Sequence, residues 1–468
     1  MIRFVPILFL SCIFTTASAD IRLPSVIGNH MVLQRNSSVK LWGWGDPHEK
    51  VVISSSWKEQ KDSTVVDGNA KWEIIIPTAQ AGGPYTIEIR GRNIILLQDI
   101  LIGEVWICSG QSNMEMNYYW GLPQMKNDIP LAADKDIRFF QVPKSTALHQ
   151  QEKGEGSWTR CDTSSVKSFS AVAYYFGKKL NEELNIPIGL IHTSWGGTPA
   201  EAWTPQYVIE GDAVLKEASQ KLNPSSGWPV KAGLAFNSMI APFTNFSIAG
   251  TIWYQGESNT GTAATYHRLF SSMIRAWRKE WKKEFPFLFV QLAPYAYGNK
   301  NIAALLREAQ DKTLSVPATG MVVTTDIGGD PNDIHPRNKK DVGLRLARLA
   351  LSMVYNINFT DARSPSLSSM HIENDRIVVT FKHTSGLKHT GSAITGFYIA
   401  GNDGIFHPAN AKIQGNMVTV WNKMVKHPVA VRYAFSNLAE GNVFDYGGLP
   451  VAPFRTDTWQ VDTSPVNN

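Results

Sequence analysis

Three cysteines in 468 residues are too few to build a disulfide scaffold. No Cys/His cluster has zinc spacing and no His-Glu-x-x-His stretch occurs, so no metal site is indicated. Lys and Arg number 45 against 40 Asp and Glu, a net charge of +5 with no basic block, which leaves no electrostatic footprint for nucleic acid. Past the N-terminal stretch, no apolar run approaches the length of a membrane span. Gly-x-Ser-x-Gly is also missing, which argues against the nucleophile elbow of α/β-hydrolases. No internal repeat or low-complexity linker divides the chain.

What is present fits a large globular protein. Hydrophobic residues make up 43% and charged residues 18%, and the length exceeds what one core accommodates, so more than one domain is expected. Fifteen Trp are many; flat indole faces suit sugar rings, and burial is the ordinary alternative for each. Arg3, the apolar stretch Phe4 to Phe14 and Ala17-Ser18-Ala19 before Asp20 predict a signal peptide over residues 1–19 and a secreted or periplasmic protein. A lipid anchor at Cys12 has a poorer context. Cys108 and Cys161 then remain, either as a disulfide or as buried thiols.

The hydrophobic period changes twice. From 20 to 98, alternating runs such as Val39–Trp44, Lys71–Ile76 and Tyr85–Ile89 are separated by Gly, Pro, Asn and Asp, which predicts a β-sandwich-like module. From 99 to 356, apolar strands alternate with amphipathic helices. A helix from Ser164-Ser165 carries Phe169, Val172, Phe176, Leu180 and Leu184. Strands are read at Ile188–Ile191, Gly250–Tyr254, Phe287–Val290 and Met321–Thr325. Further helices carry Tyr266 to Trp281, Ala303 to Thr313 and Val342 to Met353. This is an α/β pattern with a mostly parallel sheet, whose ligands bind at the carboxyl ends of strands. From 357 to 468, β signals return at Ile377–Phe381, Phe397–Ile399, Met417–Val420 and Val429–Tyr433, predicting a second β-rich module.

Ser112 lies in Gly110-Gln111-Ser112-Asn113-Met114, directly after the apolar run Val105–Cys108. His335 lies in Asp333-Ile334-His335-Pro336, after Met321-Val322-Val323. A serine hydroxyl is a weak nucleophile until a base within hydrogen-bond reach takes its proton, and imidazole titrates near neutrality. The pair therefore points to nucleophilic acyl transfer. Asp333, two residues before His335, and Glu257, in Gln255-Gly256-Glu257-Ser258-Asn259, are rival carboxylates to orient the base. Asp326 and Asp330 are further alternatives. The N–H of Ser112, an N–H at Gly196 or Gly197, and a side-chain amide are candidates to receive the oxyanion.

The segments Gly-Gln-Ser-Asn-Met, Ser194-Trp195-Gly196-Gly197-Thr198, Gln-Gly-Glu-Ser and Asp-Ile-His-Pro, in this order, resemble the sialate O-acetylesterase family of SGNH hydrolases. Gly447-Gly448-Leu449-Pro450 and Pro453-Phe454-Arg455 are similar to that family too. The resemblance implies an SGNH-type three-layer α/β/α domain flanked by β-modules, removal of acetyl groups from sugars, and no metal or organic cofactor. In related SGNH enzymes the oxyanion amide is Asn; the matching position offers Gln255, with Asn259 four residues on. The family pattern also places an Asp three residues before the His, where this chain has Asn332.

Trp195, Arg307 and Asn113 are the candidate substrate contacts, with Trp120, Trp203, Trp253 and Tyr254 near the same segments and Arg337 beside His335. The expected partner is an O-acetylated sugar or glycan, sialic acid first. The rival substrate is acetylated xylan or another plant polysaccharide. The rival of another class is a carbohydrate-binding protein without turnover.

Overall fold

The computed structural model describes residues 20–359 and 362–466. The expected signal segment, 1–19, with Cys12, lies outside the described residues.

Seven strands form the central part of the large sheet: β1 (Ile94–Gly110), β2 (Asp134–Gln141), β3 (Trp158–Cys161), β4 (Ile188–Ser194), β5 (Gly250–Tyr254), β6 (Phe287–Val290) and β7 (Thr319–Val322). Their order is β7-β6-β5-β1-β4-β2-β3. Every neighbouring pair is parallel except β2 with β3. β1 is central, and the chain turns to one side of it before the other, which opens a crevice at the carboxyl ends of the strands. The strands β2 and β3, at one end of the sheet, were not legible as strands: Asp134-Lys135-Asp136 and the short Trp158–Cys161 carry little alternation.

Four long helices cover the sheet: α1 (Ala171–Leu184), α2 (Ala263–Trp281), α3 (Ile302–Lys312) and α4 (Lys339–Val354). Successive strand side chains point to opposite faces. Val105, Ile107, Trp253, Phe287 and Phe289 join the core with α2 and α3. Trp106, Cys108, Ile252, Leu288 and Val290 join the core with α1 and α4. The helix expected from Ser164 is two helices. Thr163–Ser168 ends before Phe169, and Ser170 caps the next by accepting from the Ala173 N–H at 3.1 Å. The Ser170 hydroxyl also donates to the Met114 carbonyl at 2.6 Å, so this break braces the turn after β1. No helix among the described residues is long and apolar enough to cross a membrane.

The expected boundary at 98/99 falls inside a strand. β1 runs for 17 residues; its first part pairs antiparallel with Gly82–Arg90, and its last part lies between β4 and β5. The strand pair Ser38–Trp44 and Lys71–Pro77 contributes Val39, Leu41 and Ile76 to the same core as α2. The C-terminal strands have a core of their own, built on Ile377, Val379, Phe397, Ile399, Val418 and Val431. Cys108 and Cys161 are free, buried thiols, not a disulfide. Each sulfur donates to a backbone carbonyl, Trp106 and Ala132 respectively, and burial raises both thiol pKa values, that of Cys161 to about 12.

At the end of β1 the backbone leaves no space for a side chain. Gly110 has φ +140°, and a Cβ there would stand 2.1 Å from the Tyr254 carbonyl oxygen. Gly110→Ala should therefore destabilise the fold by about 3 kcal/mol, by overpacking and by backbone strain. Urea unfolding reads this as a lowered midpoint; an unchanged midpoint would contradict the close approach.

Candidate active site

The register of the sheet assembles the site. Gly110 is paired with Ser194 on one side and with Tyr254 on the other, so three strands end in line. The segments that follow them, Gln111–Asn113, Trp195–Thr198 and Gln255–Asn259, therefore leave the same edge. The loop after β7 brings the fourth segment, Asp333–His335, to that edge before α4 begins.

Ser112 opens a one-turn helix, Ser112–Glu115, and is 8% exposed. Its Oγ lies 2.9 Å from Nε2 of His335. With neutral imidazole, the hydroxyl donates and Nε2 accepts, the arrangement a general base requires. Trp120 packs edge-on against the His335 ring, with centroids 5.4 Å apart.

Asp333 meets His335 twice. Its Oδ1 accepts the His335 N–H at 2.9 Å, an Asx-type turn, and the same oxygen lies 3.8 Å from Nδ1. The turn explains how a carboxylate two residues away reaches the imidazole instead of pointing to the opposite side. Glu257 is not placed to hold His335. Its Oε1 accepts from Nδ2 of Asn113 at 2.5 Å. Asp326 is committed to Arg345 through two bonds, and Asp330 accepts the Asn332 N–H.

Among the candidate oxyanion donors, the Ser112 and Gly197 N–H groups donate to no acceptor among the described residues. Ser112 stands at the start of a helical turn, where N–H groups have no intrahelical partner. The Gly196 N–H is taken by Glu115, whose Oε2 accepts it at 2.7 Å, while Lys144 holds the other oxygen at 2.6 Å. A Cβ on Gly196 would come within 3.2 Å of the Ser112 Cβ, so this loop closes directly over Ser112. Gln255 is a correction. Its Nε2 donates to Asn259 Oδ1 at 2.8 Å and to the Thr198 carbonyl at 3.3 Å, and its Oε1 accepts from Tyr266 at 2.8 Å. Asn259 is equally committed, donating to Glu201 at 2.8 Å.

Two candidate substrate contacts are also corrected. Arg307 is fully buried and donates to the carbonyls of Leu292, Ala293, Ser436 and Asn437. It latches the C-terminal module to α3 and does not face a substrate. Asn113 is fully buried, and both ends of its amide are bonded within the protein. Trp203, Trp253 and Tyr254 are core residues. Trp195 is half-buried, its indole N–H donating to the Gly227 carbonyl at 3.2 Å. Trp228, which the motif reading did not single out, is 41% exposed and packs over Gly197. Trp120, 40% exposed, stands on the His335 side.

Reading the sequence also missed Lys339. Its Nζ is buried and donates to Asn113 Oδ1 at 2.5 Å. One signal was available: Lys339 and Lys340 open a helix, where the macrodipole disfavours cations. A second Ser–His pair, Ser194 with His192 at 2.7 Å, is sealed in the interior. Burial drops the His192 pKa to about 3, and Gln141, not a carboxylate, faces its other nitrogen.

The crevice thus carries a serine, an imidazole in contact with it, a carboxylate beside the imidazole and free N–H groups, the equipment of an ester hydrolase. The family model for the carbohydrate esterase, sialic acid-specific acetylesterase domain matches residues 102–352, more than half of the chain, and all four segments lie inside it. The chain belongs to the sialic acid-specific acetylesterase family of carbohydrate esterases, and the protein is an esterase. The sialate O-acetylesterase of Homo sapiens is 29% identical over 378 residues, covering 73% of this chain and 72% of its own. That of Mus musculus is 28% identical over 422 residues, covering 75% and 76%. The crystal structure of a carbohydrate acetylesterase from Xanthomonas citri superposes with a TM-score of 0.86 at 36% identity, covering 94% of this chain and all of that one.

Burial and, second, the Lys339 charge lower the His335 pKa below 6.5, with Asp333 acting in the opposite direction. A base whose pKa is lowered stays neutral to lower pH. The acidic limb of kcat/KM for 4-nitrophenyl acetate should therefore fall below about 6.5. A limb at or above the ordinary histidine value would contradict this.

Proposed function

We propose that the protein removes O-acetyl groups from sugars, sialic acids first, through a serine acetyl-enzyme. The observation that carries this reading is the 2.9 Å contact between Ser112 Oγ and His335 Nε2 at the carboxyl edge of the sheet. Ser112 Oγ attacks the acetyl carbonyl carbon while His335 takes its proton. The tetrahedral oxyanion is received by the Ser112 and Gly197 N–H groups. The intermediate collapses as His335 returns the proton to the departing sugar oxygen. Water then attacks the acetyl-serine carbonyl, His335 accepts its proton, and acetate leaves as the serine is restored. Asp333 orients the imidazole and balances its transient charge. The protein acts outside the cytoplasm, after removal of residues 1–19, on the strength of the leader pattern at its start.

The substitution Ser112→Ala should lower kcat for 4-nitrophenyl acetate by at least about a thousandfold. Equal rates would remove the serine mechanism and favour a protein that binds sugars without turnover.

The choice of sialic acid has its own test. Arg337 follows the Asp333–His335 segment, is largely exposed, and lies 3.9 Å from Asp333. Its guanidinium suits the sialate carboxylate. Arg337→Ala should raise KM for O-acetylated sialic acid by about tenfold and leave KM for 4-nitrophenyl acetate unchanged. The second reading is a neutral acetylated polysaccharide such as xylan, favoured by Trp120 and Trp228 at the rim. Faster turnover of acetylated xylan than of acetylated sialate, with no effect of Arg337→Ala on either, would establish it.

A further inference from the structure

Behind the dyad lies a row of buried polar groups that the ester chemistry itself does not use. Lys339, the first residue of α4, is 1% exposed. Its Nζ donates to Asn113 Oδ1 at 2.5 Å and stands 5.2 Å from the centre of the Tyr254 ring. The other end of the same amide donates to Glu257 Oε1 at 2.5 Å and to the Ile334 carbonyl at 3.2 Å. Asn113 directly follows Ser112, and Ile334 directly precedes His335. One amide therefore ties the turn that carries the serine to the loop that carries the imidazole.

That tie works in one orientation only. Turned over, the amide would set its NH2 against the lysine and its oxygen against a carboxylate and a carbonyl. Lys339 is the donor on the oxygen side, so together with the two acceptors on the other side it fixes which way the amide points. Leaving one member of such a buried row unsatisfied is costly, because no water replaces the lost partner.

We propose that Lys339 is a positioning residue for the esterase: it holds the Asn113 amide in the orientation that clamps the Ile334–His335 loop to the Ser112 turn. This rests on the Ser112–His335 reading. The lysine also acts through its charge. Glu257 and Asp333 are the acidic groups whose charges act on it and His335 is the basic group it acts on, while Tyr254 presents its ring and Tyr297 lies within the field of Glu257. Its neighbour Lys340 turns away to Asp128, and Arg337 lies against Asp333. Burial draws the Lys339 pKa down to about 7, against the pull of Glu257 and Asp333. While protonated, it disfavours a second positive charge on His335, which keeps the imidazole ready to accept a proton.

The test uses the full chain and four variants: Lys339→Met, close in length but without charge or donor; Lys339→Arg; Asn113→Ala; and Ser112→Ala. Thermal unfolding and the pH profile of 4-nitrophenyl acetate hydrolysis are measured for each. In Lys339→Met, kcat should fall roughly tenfold to a hundredfold with little change in KM, as expected for misplaced reacting groups. The acidic limb should move to higher pH. Lys339→Arg should return the limb to its original position. Asn113→Ala should lower kcat while leaving the limb in place, because the charge remains. A folded Lys339→Met with wild-type kcat and limb overturns the inference. If Ser112→Ala keeps full activity, the dyad reading fails instead. If Lys339→Met does not fold, wild-type protein labelled with 13C-lysine carries the test. The Lys339 signal should then show a step at the pH where His335 titrates, and a signal without that step also overturns the inference.

Discussion

The whole site depends on one close approach, Gly110 against the carbonyl of Tyr254. Three parallel strands end in line only because the middle one has no side chain at its last residue. The φ of +140° turns the chain out of the sheet at that point, and Ser112 emerges two residues later over the crevice. The flanking turns leave from the matching positions, Ser194 and Tyr254, so their loops meet around the serine without any long excursion of the chain. Only the histidine arrives from farther away, and it needs holding. The Asn113 amide, the Asx turn at Asp333 and the ring of Trp120 supply that hold.

The two carboxylates of the site differ in their access to water. Asp333 is partly exposed, and one of its oxygens faces both a backbone N–H and the imidazole. Glu257 is buried, and burial raises its pKa despite the Asn113 bond and the nearby Lys339 charge. A buried carboxylate is useful where it makes a fixed hydrogen bond, and an accessible one where charge appears and disappears during a reaction. Glu115 is a third case. It accepts the Gly196 N–H beside Ser112 and is itself held by Lys144, so the protein's own groups fix the loop over Ser112.

Much of this was legible in the sequence. The period of apolar residues located β4, β5, β6 and all four long helices, because strands buried on both faces and amphipathic helices leave strong signatures. The strands β2 and β3 were missed because β2 opens on charged residues and β3 is short. Ser112 and His335 were legible as a pair, since each follows an apolar run in a segment with its own chemistry. What failed were assignments that depend on where a side chain points. Arg307, Gln255 and Asn113 were all read as facing the substrate, and all three face inward, bonded to backbone or to buried amides. Polar residues near a motif are more often its scaffolding than its working surface, and one chain cannot separate the two. The boundary expected near residue 98 lies within β1 for another reason: a change of period marks where packing partners change, not where a strand stops.

That unbroken strand has a consequence for how the molecule can be divided. A cut at residue 98 or 99 would not release two tidy units. It would leave each fragment with a stump of β1 and a row of bare peptide groups, the kind of edge on which chains add to one another. Since the forward stump ends at the Ser112 turn, the amino-terminal strands anchor that turn, and shortening the protein from that end should cost solubility before it yields a smaller folded unit.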